Sequence, residues 1–357
     1  MGQLARSRGL VVLGMHRSGT SALSGILHLL GFDLGSNLLG ANEFNPTGYW
    51  ENQAIVRLNE RILSHLGTSW CDVFLPPYRL EDTDLREVFG EEARDVLDQA
   101  IAGKRTWVLK DPRFSMLIAF WLPYLRERNA SFIHVVRHPT QVANSLERRD
   151  GFPKERGLLL WFLQNLNAEF FTRGLNRCFI NYEDYIRDWR GSLEAAFRQL
   201  ELRPVRSFER AENEIGKFIA KGRTRPSEVI SRESPNIGCQ LVEDAFETLR
   251  DPGQFSPKQI ELRCQELMNR FCDSAGLLLR TLPESEIRAE LVAARKRISV
   301  LAAKELALKG KVEELQKRKL LLTERDSFRV REFLSTGIWR FWWLWVPLSL
   351  IPIWIFD

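Results

Sequence analysis

The stretch LVVLGMHRSGTSALSGILHLLG, Leu10 to Gly31, decides how this chain folds. Residues 10–14 are apolar and β-branched-rich, and read as a short buried strand. Ser18 to Leu30 carries apolar residues at helical spacing and reads as a helix closed by Gly31. Between them stand Gly14 and Gly19, five positions apart. A glycine-containing loop that runs from a strand into a helix offers backbone N–H groups and the positive end of the helix dipole. Both suit a phosphate-like anion.

Three more apolar runs read as strands followed by helices: WVLK (107–110), FIHVVR (132–137) and CFINYE (178–183). Ala54 to Leu66 reads as a helix, and 81–102 as a charged amphipathic one. Residues 37–52, rich in Asn, Gly and Pro, read as a loop. Strands alternating with helices predict an α/β fold, a three-layer core with a central parallel sheet covered on both faces. Ligands of such sheets bind at the carboxyl ends of the strands. The polar motifs of this chain all fall there.

The loop GMHRSGTS, Gly14 to Ser21, has Walker A spacing, but Gly19 is followed by Thr20 and Ser21 where Walker A requires Lys. A kinase or ATPase would lack its phosphate-neutralising cation. The second motif is VVRHPTQVANSL, Val135 to Leu146. Arg137 ends a strand and Ser145 follows eight positions later on a helix. A guanidinium with a hydroxyl suits a lone phosphate. The third is LKDPR, Leu109 to Arg113, and the fourth NYEDYI, Asn181 to Ile186.

Together these motifs resemble those of the sulfotransferases that use 3′-phosphoadenosine 5′-phosphosulfate (PAPS), over roughly residues 8–190, on a P-loop NTPase-like core. GMHRSGTSAL and NPTGYWE are closest to the bacterial and carbohydrate-modifying branches. The resemblance implies that His16, Arg17, Ser18, Gly19, Thr20 and Ser21 surround the 5′-phosphosulfate, with the loop cation moved to Arg17. It implies that Arg137 and Ser145 hold the 3′-phosphate, that Lys110 contacts the sulfuryl end, and that Tyr182 lies beside the adenosine. A buried structural Tyr182 fits the sequence nearly as well. His16 reads as structural, and Asp111 as a residue that orients Lys110 or Arg113. The run KGRTRP, Lys221 to Pro226, fits either a basic lid over the nucleotide or a solvated loop.

Transfer to a hydroxyl or amine needs a proton acceptor. Glu43 and Glu51 bracket the loop ANEFNPTGYWEN. Glu51, at a loop-to-helix junction, is the better-fixed candidate, with Glu43 in reserve. No metal is expected, because cationic side chains suffice for the charge that develops. The competing readings are a P-loop nucleotide kinase or NTP-binding regulator, and a catalytically dead scaffold.

Composition narrows the remaining classes. Apolar residues make up 44% of the chain, enough for a full core. The net charge of +5 is unevenly placed. Residues 284–340 hold 14 Lys/Arg against 9 Asp/Glu, whereas residues 1–283 hold 37 against 36. A nearly neutral body with a basic segment beside an apolar one points to a membrane surface rather than to nucleic acid. The five cysteines form no CxxC pair, so neither a disulfide framework nor a zinc site is expected. The start MGQLARSRG lacks the apolar core of a signal peptide. The sequon at Asn129 reads as chance.

The chain is expected to divide into a body, 1–283, a helical segment, 284–334, and an apolar aromatic tail, 335–357. Ile287, Leu291, Ala294, Ile298, Leu301, Leu308, Val312, Leu315 and Leu322 form a flawed heptad pattern, interrupted by Glu305 and Lys319. A single long helix packed on the body and a coiled coil pairing two copies fit it equally. In the tail, Phe341 to Phe356 is uncharged. The expected partners are the nucleotide donor, a glycan or lipid-linked acceptor, and the inner face of a membrane in the cytoplasm.

Overall fold

In the computed structural model, which describes residues 8–40, 48–72, 83–222, 237–251 and 253–281, the strand read from Leu10 is the second of four. That strand, β1 (Arg8–Leu13), lies between β2 (Thr106–Lys110) and β3 (Ala130–Val136), parallel to both. The fourth, β4 (Arg177–Asn181), pairs in parallel with β3, giving the order β2-β1-β3-β4.

Alternate residues of a strand point to opposite faces, and here both faces are apolar. Leu10, Val12, Val108, Ile133 and Val135 pack against α1 (Thr20–Leu29), α8 (Trp189–Gln199) and α9 (Phe208–Gly222). Val11, Leu13, Trp107, Leu109 and Phe132 pack against α2 (Gln53–His65), α3 (Thr83–Ile101), α4 (Phe114–Glu127) and α6 (Lys154–Phe171). The result is the expected three-layer α/β core. Each fully buried Val or Leu contributes about 1.5–3 kcal/mol of transfer free energy. The four strands are buried on both faces. A third cluster joins α5 (Pro139–Asp150) and α6 to α10 (Ile237–Arg250) and α11 (Pro257–Thr281) through Val142, Trp161, Phe246 and Cys264. The short α7 (Tyr182–Arg187) follows β4 directly.

Most boundaries fall within two residues of expectation, and two of the differences have a clear local reason. The first helix begins at Thr20, not Ser18, because Gly19 has φ 92°, outside the helical region. The fourth strand ends at Asn181, not Glu183. The Asn181 side chain accepts the Asp184 N–H at 3.0 Å and caps α7, so Tyr182 and Glu183 belong to a helix. Glu43, Arg223 to Pro226 of the basic run, the heptad segment and the aromatic tail lie outside the described residues. Among the described residues, no helix is long and apolar enough to cross a membrane.

Candidate functional site

The loop after β1 is held from several sides. The Gly14 N–H donates to the Ser115 hydroxyl, at the start of α4, at 2.9 Å. The Ser18 N–H donates to the Met15 carbonyl at 3.1 Å. Arg17 has φ 69° and Gly19 φ 92°, so the backbone turns twice through the left-handed region before α1 starts. At Gly19 a Cβ would fall 2.2 Å from the Tyr182 ring, and the Gly19 carbonyl accepts the Tyr185 hydroxyl at 2.7 Å. Only glycine fits there. The N–H groups of Thr20 and Ser21 open a helix and have no carbonyl of that helix to donate to. The buried Ser18 hydroxyl has no hydrogen-bond partner among the described residues. Such an arrangement can hold an anion, chiefly through backbone N–H groups.

Beside it the structure brings the second motif into contact with the first. Arg17 Nε donates to Ser145 Oγ at 2.8 Å, and Arg137 Nη1 donates to the Arg17 carbonyl at 3.0 Å. Arg137 also donates to Gln141 at 3.0 Å, and its guanidinium lies 4.4 Å from the centre of the Tyr182 ring. Arg137 directly follows β3, and Ser145 lies on α5, which Pro139 opens at its first turn. Two guanidinium groups, a hydroxyl and an aromatic face thus converge at the ends of β1, β3 and β4. Arginine suits phosphate through its paired, fixed donors.

Lys110, at the end of β2, is the hub of the other half. Its ammonium donates to Glu51 Oε1, to Ser21 Oγ at 3.2 Å and to the Tyr49 carbonyl at 3.3 Å. An ammonium has three protons, and all three are satisfied. Lys110 and Glu51 are 4% and 5% exposed, so the pair is out of water. Glu51 precedes Asn52, which caps α2 by accepting from Ala54 and Ile55 N–H. Trp50 has φ 60°, unusual for so bulky a residue. That turn sends the Tyr49 carbonyl and the Glu51 side chain toward the same ammonium. Burial pushes the Glu51 carboxyl above the usual carboxylate range, and Lys110 opposes this only in part.

Behind Glu51 runs a buried polar chain. Arg113 Nη1 lies 3.8 Å from Glu51 Oε2 and 2.9 Å from Asp111 Oδ1, and Nη2 donates to Glu60 at 2.8 Å. Asp111 Oδ2 accepts from Asn59 Nδ2 at 2.9 Å, and Asn59 Oδ1 accepts from Trp121 Nε1 at 2.7 Å. Asp111 accordingly orients Arg113 rather than Lys110. His16 lies against Trp70, the ring centres 4.1 Å apart and the planes inclined by 39°. Burial, then the charges of Arg113, Arg149, Lys110 and Arg17, push its imidazole well below the ordinary value.

These features can be set beside proteins of known structure. The chain is similar to sulfotransferase domains. It matches the sulfotransferase domain from the curacin biosynthetic pathway at 18% identity, covering 68% of this chain and 98% of that one, with a TM-score of 0.39. The sulfotransferase domain of the Synechococcus PCC 7002 olefin synthase matches at 19% identity over 76% and 97%, with a TM-score of 0.36. Sulfotransferase STF1 from Mycobacterium tuberculosis H37Rv matches at 15% identity over 61% and 72%, with a TM-score of 0.30. No family model matches the chain, and no curated protein does. Likenesses this distant leave the chemistry to be argued from the side chains.

Of the residues singled out from sequence, Arg17, Ser21, Glu51, Lys110, Arg137, Ser145 and Tyr182 are linked by direct contacts around the loop. The Tyr49 carbonyl, Asn59, Trp121 and Trp70 were not foreseen. Asn59 and Trp121 lie inside helices, and only tertiary packing brings them to Asp111. No group of three or more His, Cys, Asp or Glu placed to hold a metal occurs among the described residues. A cavity of about 590 Å³, lined by Phe179, Ala196, Phe246 and Arg250, borders the second and fourth motifs at His138, Asn181, Glu183 and Asp184.

Proposed function

We propose that this chain transfers a sulfuryl group from PAPS to a hydroxyl or amine acceptor. The observation that carries this reading is the contact between two motifs distant in sequence. Arg17 reaches Ser145, and Arg137 reaches the Arg17 carbonyl, beside a loop without the Walker lysine. That arrangement offers two anion positions, one on the loop and one at the Arg137 guanidinium. A donor with a 5′-phosphosulfate and a separate 3′-phosphate needs two. The Tyr182 ring beside Arg137 supplies a flat face for the adenosine.

The chemistry follows from the buried pair. As the acceptor oxygen attacks sulfur, its proton passes to Glu51, a general base held near by the start of α2. The new O–S bond forms as the bond from sulfur to the phosphate oxygen breaks, and that oxygen leaves with the electron pair. Lys110 and Arg17 offset the charge growing on the sulfuryl and on the leaving phosphate. Lys110 also keeps Glu51 in place, since its ammonium spans Glu51 and Ser21 at the head of α1. Glu43 is the alternative base.

We further read the acceptor as a glycan or lipid-linked saccharide, on the likeness of the motifs to carbohydrate-modifying branches. We read the aromatic tail as a peripheral or re-entrant anchor on the cytoplasmic face of a membrane, and the heptad segment as a long helix that either packs on the body or pairs two copies. Incubation with ³⁵S-labelled PAPS and a lysate, followed by identification of the labelled product, tests the activity and names the acceptor. PAP binding without Mg²⁺ is expected. Tight binding of ATP only with Mg²⁺ would favour a nucleotide kinase instead.

A further inference from the structure

The buried chain behind Glu51 has a direction that can be read from donor and acceptor types. An indole N–H can only donate, so the Trp121 contact forces the Asn59 amide to present its oxygen to Trp121. The amide NH₂ then faces Asp111, where it donates to Oδ2. The remaining Asp111 oxygen, Oδ1, accepts from both the backbone N–H of Arg113, at 3.0 Å, and its Nη1, at 2.9 Å. That double contact fixes the guanidinium plane. Fixed in this way, Nη1 lies 3.8 Å from the Glu51 oxygen that Lys110 does not take. Asn59, Asp111 and Trp121 are fully buried, at 0% exposure.

A purely structural arrangement would not need this polarity. Three buried polar side chains in sequence cost desolvation at each step, and an apolar set of the same volume would pack as well. The chain ends on the carboxylate read above as the base. The geometry points to Asn59 as a positioning residue for Glu51, acting through Asp111 and Arg113. This rests on the reading of Glu51 as the base. Lys110 holds one oxygen of Glu51 from the side of the loop, and Arg113 faces the other from behind. The carboxylate is thereby kept from rotating, and a second positive charge supports its ionised form.

The test uses the full chain, transfer from PAPS to whichever acceptor the labelling experiment identifies, and PAP binding by calorimetry. Asn59→Leu removes the donor to Asp111 at similar volume. It should lower kcat about tenfold, the scale on which supporting residues act, and move the acidic limb of the kcat–pH profile to higher pH. PAP affinity should change less than about twofold. If Asn59→Leu does not fold, Trp121→Phe, which frees the amide to turn, serves in its place and should show the same displacement. The deciding measurement is the double variant. In a Glu51→Gln background, Asn59→Leu should lower kcat no further, because its effect runs through the missing carboxylate. A full additional loss there, or an unmoved acidic limb in the single variant, overturns the assignment while leaving Glu51 as the base. If Glu51→Gln alone leaves kcat unchanged, the reading of the base fails, and the role of Asn59 with it.

Discussion

The Arg17 guanidinium donates to the Ser145 hydroxyl across 128 positions of chain, at 2.8 Å. The loop after β1 and the helix after β3 are thus joined directly, and the Arg137 contact to the Arg17 carbonyl joins the loop to the end of β3 as well. Preformed sites lose less freedom on binding than sites that must be assembled.

Arg137 should therefore discriminate between nucleotides by their 3′-phosphate. Arg137→Ala is expected to weaken PAP binding by about 2–5 kcal/mol, the usual effect of breaking a buried charge-assisted pair. Adenosine 5′-phosphosulfate, which lacks the 3′-phosphate, should be affected far less. Calorimetry with both ligands checks this. Equal losses would move the 3′-phosphate elsewhere.

Glu51→Gln keeps the shape of the base and removes its proton acceptance. The expected result is a fall in kcat of about 10²–10⁴-fold with PAP affinity nearly unchanged. Because burial raises the Glu51 carboxyl above its ordinary value, the wild-type rate should climb through a pH range higher than that of an exposed carboxylate. A base works ionised, so activity is lost as pH falls through that range. If Glu43→Gln shows the loss and Glu51→Gln does not, the base is Glu43.

Stability carries its own pH signature. His134, on β3, is 2% exposed and sits 3.0 Å from the Thr172 hydroxyl. Burial, then the Arg177 charge, hold it well below its ordinary value of 6.5. The unfolded chain takes up a proton as pH falls below that ordinary value, and the folded chain does not. The unfolded state then binds more protons, so stability is present above this pH and declines beneath it. Scanning calorimetry should show Tm falling by several degrees between pH 7 and pH 5, and falling less in His134→Gln. An identical slope in the variant would place the titration elsewhere, with His16 the next candidate, since burial and nearby cations lower it in the same sense.

The aromatic tail yields a prediction from composition. Phe341 to Phe356 is uncharged, and Trp339 to Trp354 contains five of the eleven tryptophans. A bilayer span needs about 20 apolar residues, and Pro347 and Pro352 would interrupt a helix. Tryptophan favours the headgroup region, and Arg325, Arg329, Arg331 and Arg340 suit anionic lipid. Deleting residues 336–357 should move the protein from the membrane fraction to the soluble one, with transfer to a small soluble acceptor intact. A full-length protein that is soluble without detergent, and a truncation that unfolds, would make the tail part of a core.

The strands and the glycine loop were legible because they depend on short-range patterns: apolar runs, two glycines at fixed spacing, and Arg137 eight positions before Ser145. The place of Glu51 at a loop-to-helix junction was legible from the loop ANEFNPTGYWEN and the helical run after it. The support behind Glu51 was not. Trp121 and Asn59 lie on buried faces of two helices, where sequence periodicity gives the face but not the partner. The overlong fourth strand came from reading the apolar run CFINYE through a cap that only its hydrogen bond to Asp184 reveals.

The pairing of β1 with both β2 and β3 bears on how the molecule reaches its active form. Arg8 pairs with Thr106, and Gly9 with Ala130. Such non-local parallel pairings form slowly, because loop closure must precede the contacts that repay it. Ser21, Glu51, Lys110 and Arg137 come together only when the strands are in register. On the proposed function, a chain in which β1 has not yet docked would hold no complete nucleotide site. Nucleotide would then select finished molecules, and at a hundredfold excess over its Kd it would add about 2.7 kcal/mol to their stability. During synthesis and refolding, the sulfuryl donor and its spent form would serve this chain as a folding chaperone, drawing the population toward the closed sheet by mass action.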